Sequence, residues 1–391
     1  MSKVRMRFIV AAFFAIVLAF ALQGCNWNTP AQPEPVEPEL SWPYHQSSVN
    51  GAAIEMGEDV FYRSGQLLYH AARADHTLMP WCSQPGCTHD SADCAAWFAQ
   101  STCAESGIGA WDGKLLIVVE DPEDPMCDLL ERVDPKTGAR EPAEPLPKPA
   151  YTQNPQVLVR STIFHRHWIA RLFWTDGSVP LSERQFHLLI TDLRTGETKE
   201  PFCELLEQRC REQYVELYRL TAAGDRLYAR ASFFREEKRD QMELVVMEQW
   251  LVELDPETGA WRKLFRADGL NHWDCINHEI FALMDTGLLL RYDLSTDAQT
   301  TAACAEGLQA CGMWENRIIA VTSDGDQCIL LGTDGQTIAR AALPPEHAFA
   351  MRADDTVFFM TYDRVPDLYL DLSEYADADF AAQPIQRKDT E

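Results

Sequence analysis

Two short stretches decide the fold: Asp112-Gly113-Lys114-Leu115-Leu116-Ile117 and, further along the same unit, Val133-Asp134-Pro135-Lys136-Thr137-Gly138. The first is a polar turn followed by a β-rich apolar run. The second is a strand that ends in Asp and enters a Thr-Gly turn. Asp can hydrogen-bond the turn backbone and Gly can take a positive φ, so such a sequence closes two strands into a hairpin.

Working outward, the first signature recurs along the chain. It reads Gly57-Glu58-Asp59-Val60-Phe61-Tyr62, then His165-Arg166-His167-Trp168-Ile169, Gly224-Asp225-Arg226-Leu227-Tyr228, Asn277-His278-Glu279-Ile280-Phe281, Glu315-Asn316-Arg317-Ile318-Ile319 and Asp354-Asp355-Thr356-Val357-Phe358. The first apolar residues fall at 60, 115, 168, 227, 280, 318 and 357. The second signature returns at Thr191-Asp192-Leu193-Arg194-Thr195-Gly196 and Leu254-Asp255-Pro256-Glu257-Thr258-Gly259. It decays to Tyr292-Asp293-Leu294-Ser295-Thr296-Asp297, Gly332-Thr333-Asp334-Gly335 and Leu370-Asp371-Leu372-Ser373. Seven similarly marked units of about four short strands each predict an all-β, seven-bladed β-propeller over 49–385, with 386–391 as a C-terminal tail. A pair of β-sandwiches would not explain seven such units. Because propellers commonly close by pairing the N-terminal strand into the last blade, residues 49–56 are expected to complete the blade near 357–378.

One segment departs from the strand pattern. From Cys203 to Leu217 the apolar residues Leu205, Leu206, Cys210, Tyr214 and Leu217 fall roughly on one side of a helix, which predicts one short helical insert. With the polar stretches 175–185 and 235–241, it puts the long connections in the first four blades. Connecting loops are where such scaffolds carry function.

The blades resemble those of the TolB-like and quinoprotein-like bacterial propellers, which share a "dG-x-Leu-Tyr … Asp-x-x-Thr-Gly" pattern. That pattern serves many functions, so the resemblance implies fold and not activity.

The N-terminus carries an address. Lys3, Arg5 and Arg7 precede the uncharged apolar run Phe8 to Leu22, which has the length of a signal-peptide core and is short of the roughly 20 residues that span a bilayer. Leu22-Gln23-Gly24-Cys25 resembles a bacterial lipobox. That resemblance implies cleavage after residue 24, diacylglycerol on Cys25, and attachment to the outer face of the cytoplasmic membrane. Residues 25–48, with Pro30, Pro33, Pro35, Pro38 and Pro43 among Glu34, Glu37 and Glu39, read as a tether.

Charge narrows the partners. The 391 residues include 60 Asp and Glu against 34 Lys and Arg, a formal balance of −26. Losing residues 1–24 removes three cations and no acid, taking it to −29. A nucleic-acid binder needs a basic face that releases counterions, so that class is excluded.

The remaining chemistry is in the cysteines, 12 in all. Cys82, Cys87, His89 and Cys94 are spaced Cys-x4-Cys-x-His-x4-Cys, with Pro85-Gly86 turning the chain between the first two and Cys103 following. Three thiols and an imidazole are the donor set of a structural zinc site. Two further readings stand beside it: disulfides, such as Cys82–Cys87 with Cys94–Cys103, which exported proteins favour, and thiols packed as small apolar groups. The cluster resembles an element of propeller lipoproteins from anaerobic Gram-positive bacteria, a setting that would keep thiols reduced. Cys203 and Cys210, and Cys304 and Cys311, are further pairs seven apart. His272, Asp274, Cys275 and His278 form a weaker candidate cluster, Asp324-Gly325-Asp326 reads as a β-turn, and His165 and His167 as packing residues.

No Gly-x-Ser-x-Gly elbow, phosphate-binding glycine loop, His-Glu-x-x-His or dinucleotide fingerprint occurs. The expected function is therefore a non-catalytic binding or protein-interaction module for a protein, peptide or glycan ligand. The alternative is an extracellular hydrolase or lyase acting on glycans or peptides, with acids contributed by different blades. A docking role in envelope assembly is a third.

Overall fold

In a computed structural model, the described residues are 51–57, 59–72, 77–99, 108–124, 127–149, 157–175, 186–202, 214–238, 242–276, 278–345, 347–353, 355–361, 365–376 and 380–387. They form seven sheets, each a blade of four antiparallel strands, the first with a fifth strand added. Blade 1 holds β1 (Gly51–Met56), β2 (Asp59–Ser64), β3 (Leu67–Ala72) and β4 (Thr77–Pro80). Blade 2 holds β5 (Ile108–Trp111), β6 (Lys114–Glu120), β7 (Cys127–Val133) and β8 (Glu144–Pro147). Blade 3 follows with β9 (Val157–His165), β10 (Trp168–Thr175), β11 (Phe186–Asp192) and β12 (Thr198–Lys199). Blade 4 has β13 (Tyr214–Ala223), β14 (Arg226–Lys238), β15 (Met242–Leu254) and β16 (Trp261–Arg266). Blade 5 is built from β17 (Leu270–Ile276), β18 (Glu279–Met284), β19 (Leu288–Asp293) and β20 (Ala298–Ala303), and blade 6 from β21 (Leu308–Trp314), β22 (Arg317–Thr322), β23 (Gln327–Gly332) and β24 (Thr337–Ala342). Blade 7 comprises β25 (Ala348–Ala353), β26 (Thr356–Met360), β27 (Pro366–Asp371) and β28 (Gln383–Pro384), and β29 (Gln386–Arg387) follows it.

The two sequence signatures mark two kinds of turn. Each polar turn joins a first to a second strand by two residues, and the apolar run after it is the second strand of the blade. At Asp112 and Gly113 both φ values are positive (50° and 71°), the pairing a type I′ hairpin requires. Each Asp-Thr-Gly turn joins a third to a fourth strand. Asp134 accepts hydrogen bonds from the Lys136 and Thr137 amides at 3.0 Å each. Those bonds, the Thr137 amide foremost, hold its carboxyl at about 2. In blade 5, where the Gly is lost, Asp297 takes the positive φ of 57° and Asp293 still accepts from the Ser295 amide at 2.8 Å. The motif decays in letters while its hydrogen bonds persist.

Second strands carry apolar residues on both faces because both faces are buried. Leu115 and Ile117 pack with Phe61 and Leu68 of blade 1, whereas Leu116 and Val118 pack with Phe164 and Ile169 of blade 3. The core is thus a ring of seams between neighbouring blades, each removing apolar surface from water.

The ring closes differently from the sequence expectation. Strand β1 is the inner strand of its own blade, Gly51 opposite Ser64 through Met56 opposite Asp59. Blade 7 has its own four strands, and the chain then crosses back, where β29 pairs in parallel with β4, Gln386 opposite Thr77 and Arg387 opposite Leu78. Residues 386–387 of the expected tail thus join blade 1. The closure is sealed by Phe358, Met360 and Ile385 against Val60, Tyr62 and Leu78.

The helix expected over 203–217 is also corrected. Tyr214 to Leu217 open β13, paired with Phe234 to Ala231, and 203–213 lie outside the described residues. Among the described residues the helical element is one 3-10 turn, Leu372–Glu374. The apolar spacing at 214–217 serves a strand flanked by two blades.

Antiparallel alternation sorts the connections. Turns between first and second strands share one end of the blades with the Asp-Thr-Gly turns. At the other end the strands are far apart in sequence: 27 residues separate β4 from β5, 6 separate β6 from β7, 9 separate β8 from β9, 10 separate β10 from β11 and 14 separate β12 from β13, and β14 and β15 are 13 residues long. The chain enters β1 at this elaborated end. In blades 5 to 7 the strands at the same end are three to five residues apart in sequence.

Candidate metal centre

Cys82, Cys87, His89 and Cys94 come together. The stretch after β4 begins with a hydrogen bond from the Trp81 amide to Leu68 O at 2.9 Å, which carries the chain off the edge of blade 1. Gln84-Pro85-Gly86-Cys87 then turns back, Pro85 fixing its own φ, Gly86 at φ 71° and the Cys87 amide reaching Gln84 O at 3.3 Å. His89 itself sits at φ 57°, and a short turn brings the Cys94 amide to Ser91 O at 3.0 Å.

One ligand atom from each of the four lies within 4.8 Å of all the others, and His89 Nδ1 is 3.2 Å from Cys94 Sγ. A tetrahedral zinc at ordinary Zn–S and Zn–N distances places its donors roughly 3.5–3.8 Å apart, so this set could close on a metal ion of that size. Among the described residues it is the one convergent group of metal-type side chains.

Cys82 and Cys94 are buried, whereas Cys87 and His89 are partly exposed. Burial alone would raise the Cys82 thiol. Hydrogen bonds involving the Gln84 backbone and the Cys94 and Cys87 thiols outweigh it and hold Cys82 below its ordinary value. Burial, with Cys87 and Cys82 beside it, pushes Cys94 up to about 11. A bound cation would take all three thiols as thiolates. These three thiols and those of Cys127, Cys275, Cys304 and Cys328 are unlinked. Cys25, Cys103, Cys203 and Cys210 lie outside the described residues.

The weaker candidates separate. Along β17, Cys275 is buried in the seam of blades 4 and 5, Asp274 accepts from the Cys275 amide at 2.8 Å, and His272 meets Arg219 at 2.8 Å. His278 is exposed in the next turn. His165 is buried and bonded to Gly224 O at 2.7 Å, and burial drives its imidazole down to about 4. His167 packs edge-on against Trp111. Asp324-Gly325-Asp326 is a turn, with Gly325 at φ 75° and the Thr322 hydroxyl donating to Asp326 at 2.9 Å.

Sequence reasoning missed the groups that hold the site and its neighbouring seam. Arg140, just past a Thr-Gly turn in blade 2, donates to the carbonyls of Ala95, at 3.1 Å, and Trp97. In the seam of blades 2 and 3, Asp128 takes ion pairs from Lys148 at 3.0 Å and Arg171 at 3.1 Å, all three nearly inaccessible. Burial outweighs the two cations and leaves the Asp128 carboxyl above its ordinary value. No local spacing announces either arrangement, since each joins residues from separate strands.

No family model matches the chain, and no curated protein matches it. Among solved structures, the computationally designed Ika8 protein is similar at 11% identity and TM-score 0.46, covering 83% of this chain and 96% of its own. The europium-containing methanol dehydrogenase is similar at 10% identity and TM-score 0.45, covering 85% and 77%. BamB from Moraxella catarrhalis is similar at 12% identity and TM-score 0.37, covering 82% and 84%. No activity passes across likenesses this distant. By the strand pairing of its own residues, this chain is a seven-bladed β-propeller with a Cys3His group that could hold a metal.

Proposed function

We propose that the chain is a lipid-anchored, extracytoplasmic propeller that binds a protein, peptide or glycan partner at the outer face of the cytoplasmic membrane, with a structural zinc on Cys82, Cys87, His89 and Cys94. The observation that carries the binding reading is the asymmetry of the blades. Long connections gather at one end of blades 1 to 4, while two-residue turns join the first and second strands at the other end. That end also presents neighbouring exposed apolar side chains at the β14–β15 hairpin, Val246 and Met247, 47% and 41% exposed. The anchor reading is supported by Lys3, Arg5 and Arg7, the apolar run and Leu22-Gln23-Gly24-Cys25. The zinc reading is supported by the donor set and its mutual distances.

A photo-crosslinking residue placed at Met247, with a control at Ser295 in the opposite turn, tests the binding reading in membranes. Adducts from Met247 alone are expected, and equal or no adducts from both would overturn it. Labelling with a clickable fatty acid tests the anchor: Cys25→Ser should abolish incorporation and release the chain from membranes, and retained label would refute lipidation at Cys25.

A further inference from the structure

We propose that the metal centre latches blade 1 to blade 2, and that Arg140 is the positioning residue through which ligand loop and seam hold each other. This rests on the zinc reading above and adds what the metal does.

The ligand loop has little core of its own. Ser83 to Gly86, Thr88 and Asp90 to Asp93 are exposed, so apolar burial offsets little of the cost of ordering them. Coordination by four side chains is the interaction that can hold such a loop, as in small domains that fold around a metal.

Both flanks of that loop are structural. On the N-terminal side, Cys82 follows β4 directly, the strand that β29 clasps to close the ring. On the C-terminal side, Ala96 to Phe98 run along the start of β3. Ala96 O accepts from the Leu68 amide at 2.9 Å, the Phe98 amide donates to Gln66 O at 2.8 Å, and Trp97 bridges Leu67. Phe98 is wholly buried in the core that blades 1 and 2 share, beside Leu68, Leu115 and Ile117. Buried Arg63 then ties the next residue across the seam, donating to Ala99 O at 3.0 Å and to Val118 O of β6 at 2.7 Å. The residues that leave the ligand loop are thus the plug between two blades.

Arg140 supplies the hold from the blade 2 side. Its guanidinium bonds Ala95 O and Trp97 O, lies 3.5 Å from Cys94 O, and stacks 4.1 Å above the Phe98 ring. Glu131 fixes its other nitrogen at 3.0 Å. The turn before it runs beside the loop: a Cβ on Gly138, at φ 73°, would be in ordinary van der Waals contact with Ala95 at 3.7 Å and Trp81 at 3.8 Å. One planar fork therefore sets the backbone that carries Cys94 and the ring that fills the seam. Lysine offers a point charge in place of that fork. Two groups that fix one segment are coupled reciprocally: metal firms the seam, and a firm seam raises metal affinity.

The test uses the full chain purified in detergent, with zinc and cobalt(II) alone as probes. Cobalt binding should give thiolate charge-transfer absorption at one metal per chain. Hydrogen exchange of the Leu68, Cys94, Trp97 and Phe98 amides should slow with zinc and speed after chelation, with blade 5 amides unchanged. Arg140→Ala should weaken zinc binding about 10–100-fold, the usual scale for outer-shell partners, at unchanged stoichiometry, and Arg140→Lys should fall between. Absence of zinc binding would refute the metal reading and the latch with it. Bound zinc with unaltered seam exchange, or Arg140→Ala with wild-type affinity, overturns the latch and leaves the metal reading standing. The exchange comparison is made on the unaltered chain, so it decides the matter even if Arg140→Ala fails to fold.

Discussion

The seam between blades 5 and 6 and the seam between blades 2 and 3 bury the same kind of strand with different contents. The first has an apolar core: Phe281, Leu283, Leu289, Leu308, Met313, Ile318, Ala320, Ile329 and Leu331. The second has Leu116, Val118, Leu130, Leu146, Phe164 and Ile169, and sinks a carboxylate and two cations beside them. An apolar seam tolerates imprecision because dispersion and burial have no preferred angle. A charged seam does not, because each buried ion lost leaves its partner uncompensated. In this comparison the elaborated half of the ring is the one that sinks an ion cluster between its blades.

The comparison can be broken most directly at Asp128. Asp128→Ala strands Lys148 and Arg171 in the seam and should cost about 3–5 kcal/mol in denaturant unfolding. Replacing Asp128, Lys148 and Arg171 together by leucine, methionine and methionine should recover most of that loss, since no buried ion is then left without its partner and burial already lifts the Asp128 carboxyl above its ordinary value. A triple variant as unstable as the single one would show the ion cluster to be net stabilising. Leu283→Ala, in the apolar seam, should cost about 2–5 kcal/mol by opening a cavity. It should show no salt dependence.

Acid provides the next contrast. His165 is buried and held to about 4, against the ordinary 6.5. Above the ordinary value both folded and unfolded chains keep it neutral, and its contribution is fully present. As pH falls from 6.5 toward 4 the unfolded chain takes up a proton that the folded one refuses, so stability drops through that window by about 3 kcal/mol at most. His165→Gln should flatten that part of the pH–stability curve. An unchanged slope would show that another group carries it.

A smaller effect is expected where inner strands meet. An added Cβ on Gly109 would lie 2.2 Å from the Phe164 ring and 2.4 Å from its Cβ, so Gly109→Ala must displace a residue of blade 3. Overpacking of this kind should cost about 1–3 kcal/mol, read as a lowered Tm. Wild-type stability would show that the blade 2–3 seam yields as easily as an apolar one.

Much of the fold was legible because its signals are local. Val60, Leu115, Trp168, Leu227, Ile280, Ile318 and Val357 each lie at the head of a second strand, and Asp134, Asp192, Asp255 and Asp293 each accept from the amide two residues on. A turn that a side chain closes over two or three residues leaves its pattern in those residues. The four-residue cluster was legible for the same reason, its members falling within one loop. Closure of the ring was not, because Gln386 and Thr77 are brought together by the whole circuit of blades. The spacing at 214–217 misled, because Tyr214 and Leu217 sit in a strand flanked by two blades, where apolar residues need not alternate.

The sequence by itself determined an acidic chain of seven hairpin-rich units, an N-terminal apolar run ahead of Cys25, and a loop rich in thiols. Only the tertiary structure decided that β29 locks blade 1, that three thiols and an imidazole converge, and that Arg140 reaches back across a seam to hold their loop. Hairpins and turns are specified by hydrogen bonds between near neighbours. Which blades share a core, and which charges are buried between them, depends on surfaces that exist only once the ring is assembled.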